Sequence, residues 1–110
     1  MGCEHMQVSR HWNGTTRPGQ AEAYIHHLKT ETFPQLAAIP GFVRASILTR
    51  GLDSGTEFQV VTVWESLEAI RAFAGAEVTD AVVPPFVQRL MARYDRHVVH
   101  FEIADTFEPG

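Results

Sequence analysis

The chain has 110 residues, a hydrophobic fraction of 45%, one cysteine and a formal net charge of −4. That length fits one domain and buries a core without cross-links. The acidic balance argues against nucleic acid or an anionic membrane as the main partner, and a lone Cys3 excludes a disulfide framework or a thiolate metal cluster.

Residues 1–6, MGCEHM, read as a disordered end or a cloning scar, and Met6 stands where a myristoylation signal wants Ser or Thr. The domain itself is expected over 7–105, with 106–110 as a loose tail. No run approaches the roughly 20 apolar residues of a membrane span, and no signal-peptide core is present. A reducing, cytoplasmic setting is therefore expected. Gln7–Trp12 reads as a first strand, with Val8, Arg10 and Trp12 on one face and Ser9 and His11 on the other. Asn13-Gly14 and Pro18-Gly19 predict a loop. A helix should begin near Gly19, carrying the stripe Ala21, Tyr24, Ile25 and Leu28. Pro34 lacks the amide that a helix interior needs, so a break is expected near Thr30–Thr32. A second helical piece follows through Phe33, Leu36 and Ala37, and Pro40-Gly41 stops it. Phe42–Arg50 is the second strand and Gly51–Thr56 a hairpin-type loop.

The stretch Glu57–Gly75 is a strand that runs straight into a helix. Phe58–Trp64 is β-branched or aromatic apart from Gln59. Ser66 suits a helix cap, Glu68 the first turn, and Gly75 a left-handed end. Leu67, Ile70, Phe73 and Ala74 give the helical stripe. Phe58, Val60, Thr62 and Trp64 share one strand face; Gln59, Val61 and Val63 share the other. Neither face is clearly polar, so both are expected to be covered. Ala76–Val83 shows no clear period. Pro84-Pro85 predicts a short helix with Phe86, Val87, Leu90, Met91 and Tyr94 as its apolar positions. Asp95–Asp105 reads as a fourth strand, with Val99, Phe101 and Ile103 on one face and Val98, His100 and Glu102 on the other. The order β-α-β-β-α-β predicts an α+β, ferredoxin-like fold with a four-stranded antiparallel sheet and helices on one face. A second copy of the chain is the simplest cover for the other face, which predicts a homodimer.

No phosphate loop, dinucleotide fingerprint, nucleophile elbow or zinc-protease motif occurs. The histidine spacings predict no metal site: His97 and His100 face opposite sides of a strand, and His26 and His27 diverge on a helix. Only His11 and His100 sit on strands that could bring them together. If Val99, Phe101 and Ile103 pack under the helices, His100 points into the space between two sheets, where an imidazole can move a proton. The alternative is a histidine satisfied by a carboxylate at the dimer interface. Trp12 and Trp64 are expected to end parallel neighbouring strands and to hold a flat aromatic ligand; otherwise they fill the core. Arg10 shares Trp12's face and can stabilise an anion. Taken by themselves, Tyr24, Phe33, Phe73 and Phe86 read as packing residues.

Taken together, Trp12-Asn13-Gly14, Tyr24, Pro40-Gly41-Phe42, Arg50, Glu57-Phe58, Trp64-Glu65-Ser66, Phe73-Ala74-Gly75, Ala81-Val82-Val83 and Val99-His100-Phe101-Glu102 carry a resemblance. The chain resembles the antibiotic biosynthesis monooxygenase family of dimeric α+β barrel proteins, over roughly Val8 to Ala104. The resemblance implies two chains packed sheet to sheet, each with a pocket between sheet and helices. It implies oxidation of a small aromatic, quinol or polyketide-type molecule by dioxygen with no cofactor, through stabilisation of its deprotonated form. On that basis His100, Trp64 and Arg10 are the expected catalytic residues, and Trp12, Tyr24 and Phe73 the expected substrate-binding ones. A haem-degrading relative would need a histidine after the third strand, yet none occurs between His27 and His97. The reading from a different class is a dimeric ligand-binding or structural module without turnover.

Overall fold

The structure is a computed structural model that describes residues 6–110. The start expected to be disordered, residues 1–6, lies outside the described part apart from Met6, which is exposed and in no helix or strand. The elements in order are β1 (Val8–Thr16), α1 (Ala21–His27), a π-helical turn (Leu28–Thr32), α2 (Phe33–Ala37), β2 (Phe42–Leu52), β3 (Gly55–Trp64), α3 (Leu67–Ala74), α4 (Pro85–Leu90), β4 (Met91–Tyr94) and β5 (Val99–Glu102). They form an antiparallel sheet with helices on one face, the expected α+β, ferredoxin-like arrangement. Strands lie in the order β2-β3-β1, and the far edge of β1 is shared by β4 and β5.

That split edge corrects the expectation of four strands. β1 runs on to Thr16 instead of stopping at Trp12, which leaves Gly14–Thr16 with free ladder groups. Met91–Tyr94 pairs with them as β4, so the helix expected to reach Tyr94 ends at Leu90. Residues 95–98 leave the sheet: Asn13 O accepts from Asp95, and Thr79 O accepts from the Val98 amide. The fourth strand proper, β5, covers only Val99–Glu102. Asn13-Gly14 reads as a turn in sequence, but here it lies within a strand. A Cβ on Gly14 would sit 2.5 Å from Trp12 Cη2, so the glycine lets the indole lie flat against the backbone.

The strand-to-helix stretch forms as expected. Ser66 Oγ accepts from the Ala69 amide at 3.1 Å, and Gly75, at φ 86°, closes α3 through its amide on Arg71 O. The break at Pro34 takes the form of the π turn, in which the Phe33 amide reaches Leu28 O, five residues back. Pro34 has no amide to continue an α-helical ladder, and the wider turn absorbs the mismatch. The hairpin between β2 and β3 is tighter than expected, with Leu52 paired to Gly55.

Two groups of buried side chains lie between sheet and helices. One gathers Trp12, Tyr24, Leu28, Phe58, Val87 and Met91. The other gathers Val8, Leu36, Trp64 and Ile70. On the opposite sheet face Val63 is buried and Val61 half-buried, while Leu48, Val99 and Phe101 are exposed. Among the described residues no helix is long and apolar enough to cross a membrane.

Candidate functional site

Register decides which side chains meet. β1 and β3 pair antiparallel, with Val8 opposite Trp64, Arg10 opposite Thr62 and Trp12 opposite Val60. Directly paired residues project from the same sheet face. Trp12 and Trp64 therefore share the helix-side face but lie four pairs apart, and they do not end parallel strands. β5 pairs His100 with Arg10 and Val99 with His11. This reverses the expected faces of that strand. His100 points to the helix side, and Val99 and Phe101 point to the open side. His11 and His100 thus project from opposite faces, and His11 instead bonds Ser9 and meets the edge of Phe101. Because side chains alternate with a period of two, one misjudged face moves every residue of the strand.

A hollow opens between the helix-side face and the helices. Its lining includes Arg10, Trp12 and Thr62 from the sheet, Tyr24, Leu28 and Phe33 from the helical arm, and Phe73 from α3. Val82, Val83 and Pro84, from the segment between α3 and α4, close one side. The free volume is about 70 Å³. An enclosed apolar cavity of roughly 150 Å³ is known to hold benzene. The free volume here is smaller, the hollow is partly open to its surroundings, and residues 82–84 on its wall lie in no helix or strand.

Arg10 is the one charged residue in that lining, and it is 5% exposed. Its guanidinium donates to Val78 O at 2.5 Å, to Asp80 O at 2.8 Å and to His100 Nε2 at 3.1 Å. It also stacks over Phe73, 5.7 Å from the ring centre. Among the described residues no carboxylate pairs with it. Burial lowers its pKa to about 10, so it remains a cation at neutral pH. A buried cation without a counter-ion is unusual and favours an anion brought from outside. The guanidinium has five N–H donors. Three are engaged here, leaving Nε–H and one Nη2–H.

The other expected site residues fall into two groups. Trp12, Tyr24 and Phe73 line the hollow with Arg10. Trp12 donates its indole N–H to Asp95 O at 2.9 Å, so it offers a ligand its ring only. Burial raises the Tyr24 phenol above its ordinary range and keeps it neutral. Trp64 and His100 do not line the hollow. Trp64 is fully buried, packed by Phe42 and Phe73, and gives its N–H to Thr62 Oγ1 at 2.8 Å. His100 stands behind Arg10. Its pKa is lowered by burial first, then by Arg10 and His11.

Thr62 is the residue the sequence reading passed over. The signal was present, because it is the one hydroxyl on a face otherwise made of Phe58, Val60 and Trp64. The lining from residues 82–84 had no periodic signal to reveal it. Among the described residues no group of three His, Cys, Asp or Glu side chains is placed to hold a metal ion.

Solved structures share this architecture. A putative antibiotic biosynthesis monooxygenase of Bacillus cereus aligns with a TM-score of 0.66 at 16% identity, covering 94% of this chain and 99% of that one. A monooxygenase of Streptomyces coelicolor in complex with nanaomycin D aligns with a TM-score of 0.65 at 18% identity, over 96% and 94% of the two chains. A haem-degrading protein of Mycobacterium tuberculosis aligns with a TM-score of 0.60 at 21% identity, over 96% and 100%. No protein of curated function matches the sequence. Identities this low show a shared fold alone. The antibiotic biosynthesis monooxygenase family matches residues 8–84, more than half of the sequence. The chain belongs to the antibiotic biosynthesis monooxygenase family.

Proposed function

We propose that this protein is a cofactor-independent monooxygenase that oxidises a small aromatic, quinol or polyketide-type molecule with dioxygen. The observation that carries the reading is the Arg10 guanidinium, buried without a carboxylate partner in an otherwise largely apolar hollow. Family membership supports it, as does the fold shared with a monooxygenase that binds nanaomycin D.

In this reading the substrate supplies the electrons. Loss of a proton from a ring hydroxyl, or from a methylene beside an aromatic ketone, leaves an electron-rich anion. Dioxygen adds at carbon, and loss of water leaves a carbonyl, so one oxygen atom enters the product and the other leaves as water. Arg10 favours the anion over the neutral substrate, and its charge is worth more in a dry site than in water. Trp12, Tyr24 and Phe73 hold the ring plane. His100 has its Nε2 lone pair occupied by Arg10, so it seats the guanidinium.

The active form in this reading is a cytoplasmic homodimer. The open sheet face carries Leu48, Val61, Val99 and Phe101, exposed or half-buried apolar side chains that a second copy would cover.

The test is oxygen uptake with a panel of hydroquinones and anthrones. We expect consumption of one dioxygen per carbonyl formed, lost in Arg10→Met. Tight binding across the panel with no uptake would replace this reading with that of a binding module. The small free volume of the hollow, about 70 Å³, is the observation that favours this second reading.

A further inference from the structure

We infer that Arg10 and Thr62 together form a receptor for one negatively charged ligand oxygen, and that Trp64 is the positioning residue that aims the Thr62 hydroxyl into it. The inference rests on reading the hollow as a substrate site.

Arg10 and Thr62 are direct partners across β1 and β3. They project from the same face, line the same hollow, and are 5% and 6% exposed. A threonine hydroxyl has one proton and two lone pairs. Trp64 Nε1 donates to Thr62 Oγ1 at 2.8 Å, which occupies one lone pair. The hydroxyl proton cannot point back along that bond. Among the described residues nothing accepts it, although the group is buried. Arg10 likewise keeps Nε–H and one Nη2–H after its bonds to Val78, Asp80 and His100. Two neighbouring buried side chains thus hold three unused donors beside an apolar space.

A phenolate or enolate oxygen is the matching acceptor. It is one atom with room for up to three donors, and its body is apolar. Its proton leaves to solvent on binding. In this arrangement Trp64 acts at one remove. An indole N–H has no acceptor capacity, so it must be the donor, and Thr62 must turn its own proton elsewhere. A hydroxyl without that neighbour could use its proton on the backbone.

The probe is p-nitrophenol, whose phenolate form absorbs in the visible, with nitrobenzene as its neutral counterpart. The wild-type protein is expected to bind p-nitrophenolate at least tenfold more tightly than nitrobenzene, and so to lower the apparent pKa of the bound phenol. Thr62→Val should lose about tenfold in p-nitrophenolate affinity and leave nitrobenzene unchanged, while Thr62→Ser restores the wild-type values. Trp64→Phe should weaken p-nitrophenolate binding when Thr62 is present and have no further effect in the Thr62→Val background. A purely structural Trp64 would weaken both probes equally, in either background. Should Thr62→Val fail to fold, Thr62→Ser and Trp64→Phe carry the test. Equal affinity for the two probes, or failure of the wild-type protein to bind p-nitrophenolate, overturns the inference. So does a Thr62→Val variant that binds as wild type does. Oxygen uptake is read separately, so a receptor that behaves as expected without turnover counts against the oxygenase reading alone.

Discussion

Arg10 Nη1 lies 3.1 Å from His100 Nε2, and this single distance assigns the protons of both groups. A guanidinium can only donate. Nε2 is therefore the bare nitrogen of His100, and Nδ1 carries the proton. Burial disfavours a second proton on His100, and that proton would also break the bond and set two cations side by side.

That relationship predicts a pH dependence. The folded pKa of His100 lies below its ordinary value of 6.5, and that of His11 is shifted the same way by burial. Below about pH 6.5 the unfolded chain binds protons that the folded chain does not, so stability falls as the pH drops toward and through the folded values. Thermal melts between pH 7.5 and 5 should show the decline, and His100→Gln, which still accepts from Arg10, should flatten part of it. A variant as acid-sensitive as the wild type would mean that His100 does not carry the effect.

Arg10 also ties down the segment between α3 and α4. Its bonds to Val78 O and Asp80 O are charge-assisted, each worth about 1.5–3 kcal/mol. The same segment is stitched to residues 96–98 by Ala81 N on Arg96 O and Val98 N on Thr79 O. In Arg10→Met, exchange of the Ala81 and Val98 amides should accelerate tenfold or more, while amides between β2 and β3 keep their protection. Uniform acceleration would indicate global destabilisation rather than a loosened wall.

The open sheet face yields the third prediction. Val99 and Phe101 are 55% and 56% exposed and share that face with Val61 and Val63, from which His11 and Ser9 of β1 separate them. A second copy would bury roughly 1,200–2,000 Å² in total. Light scattering at micromolar concentration should give a dimer mass, and Phe101→Glu should shift it toward the monomer. A monomer mass for the wild type would contradict this account of the face.

Much was written in local sequence. The turn from β3 into α3 was legible because its strand alternation, Ser66 cap and Gly75 end are set by neighbouring residues alone. The helical stripe at Tyr24 and Leu28 and the interruption before Pro34 were legible for the same reason. The family itself followed from short motifs spread along the chain. Only the tertiary structure decided the rest. β1 continues through Asn13-Gly14, despite its turn-forming residues, because the Trp12 ring packs on that glycine and β4 supplies a partner edge. Met91–Tyr94 is a strand and not a helix for the same reason: the free edge of β1 is a property of another segment. The faces of β5 depend on a register with β1 across some ninety residues of chain, and that register turned His100 from the open side toward Arg10. The grouping of Arg10, Thr62 and Trp64 is likewise non-local. Sequence placed Thr62 and Trp64 on one strand face, but which hydrogen bond each would use depended on what the folded chain set opposite them.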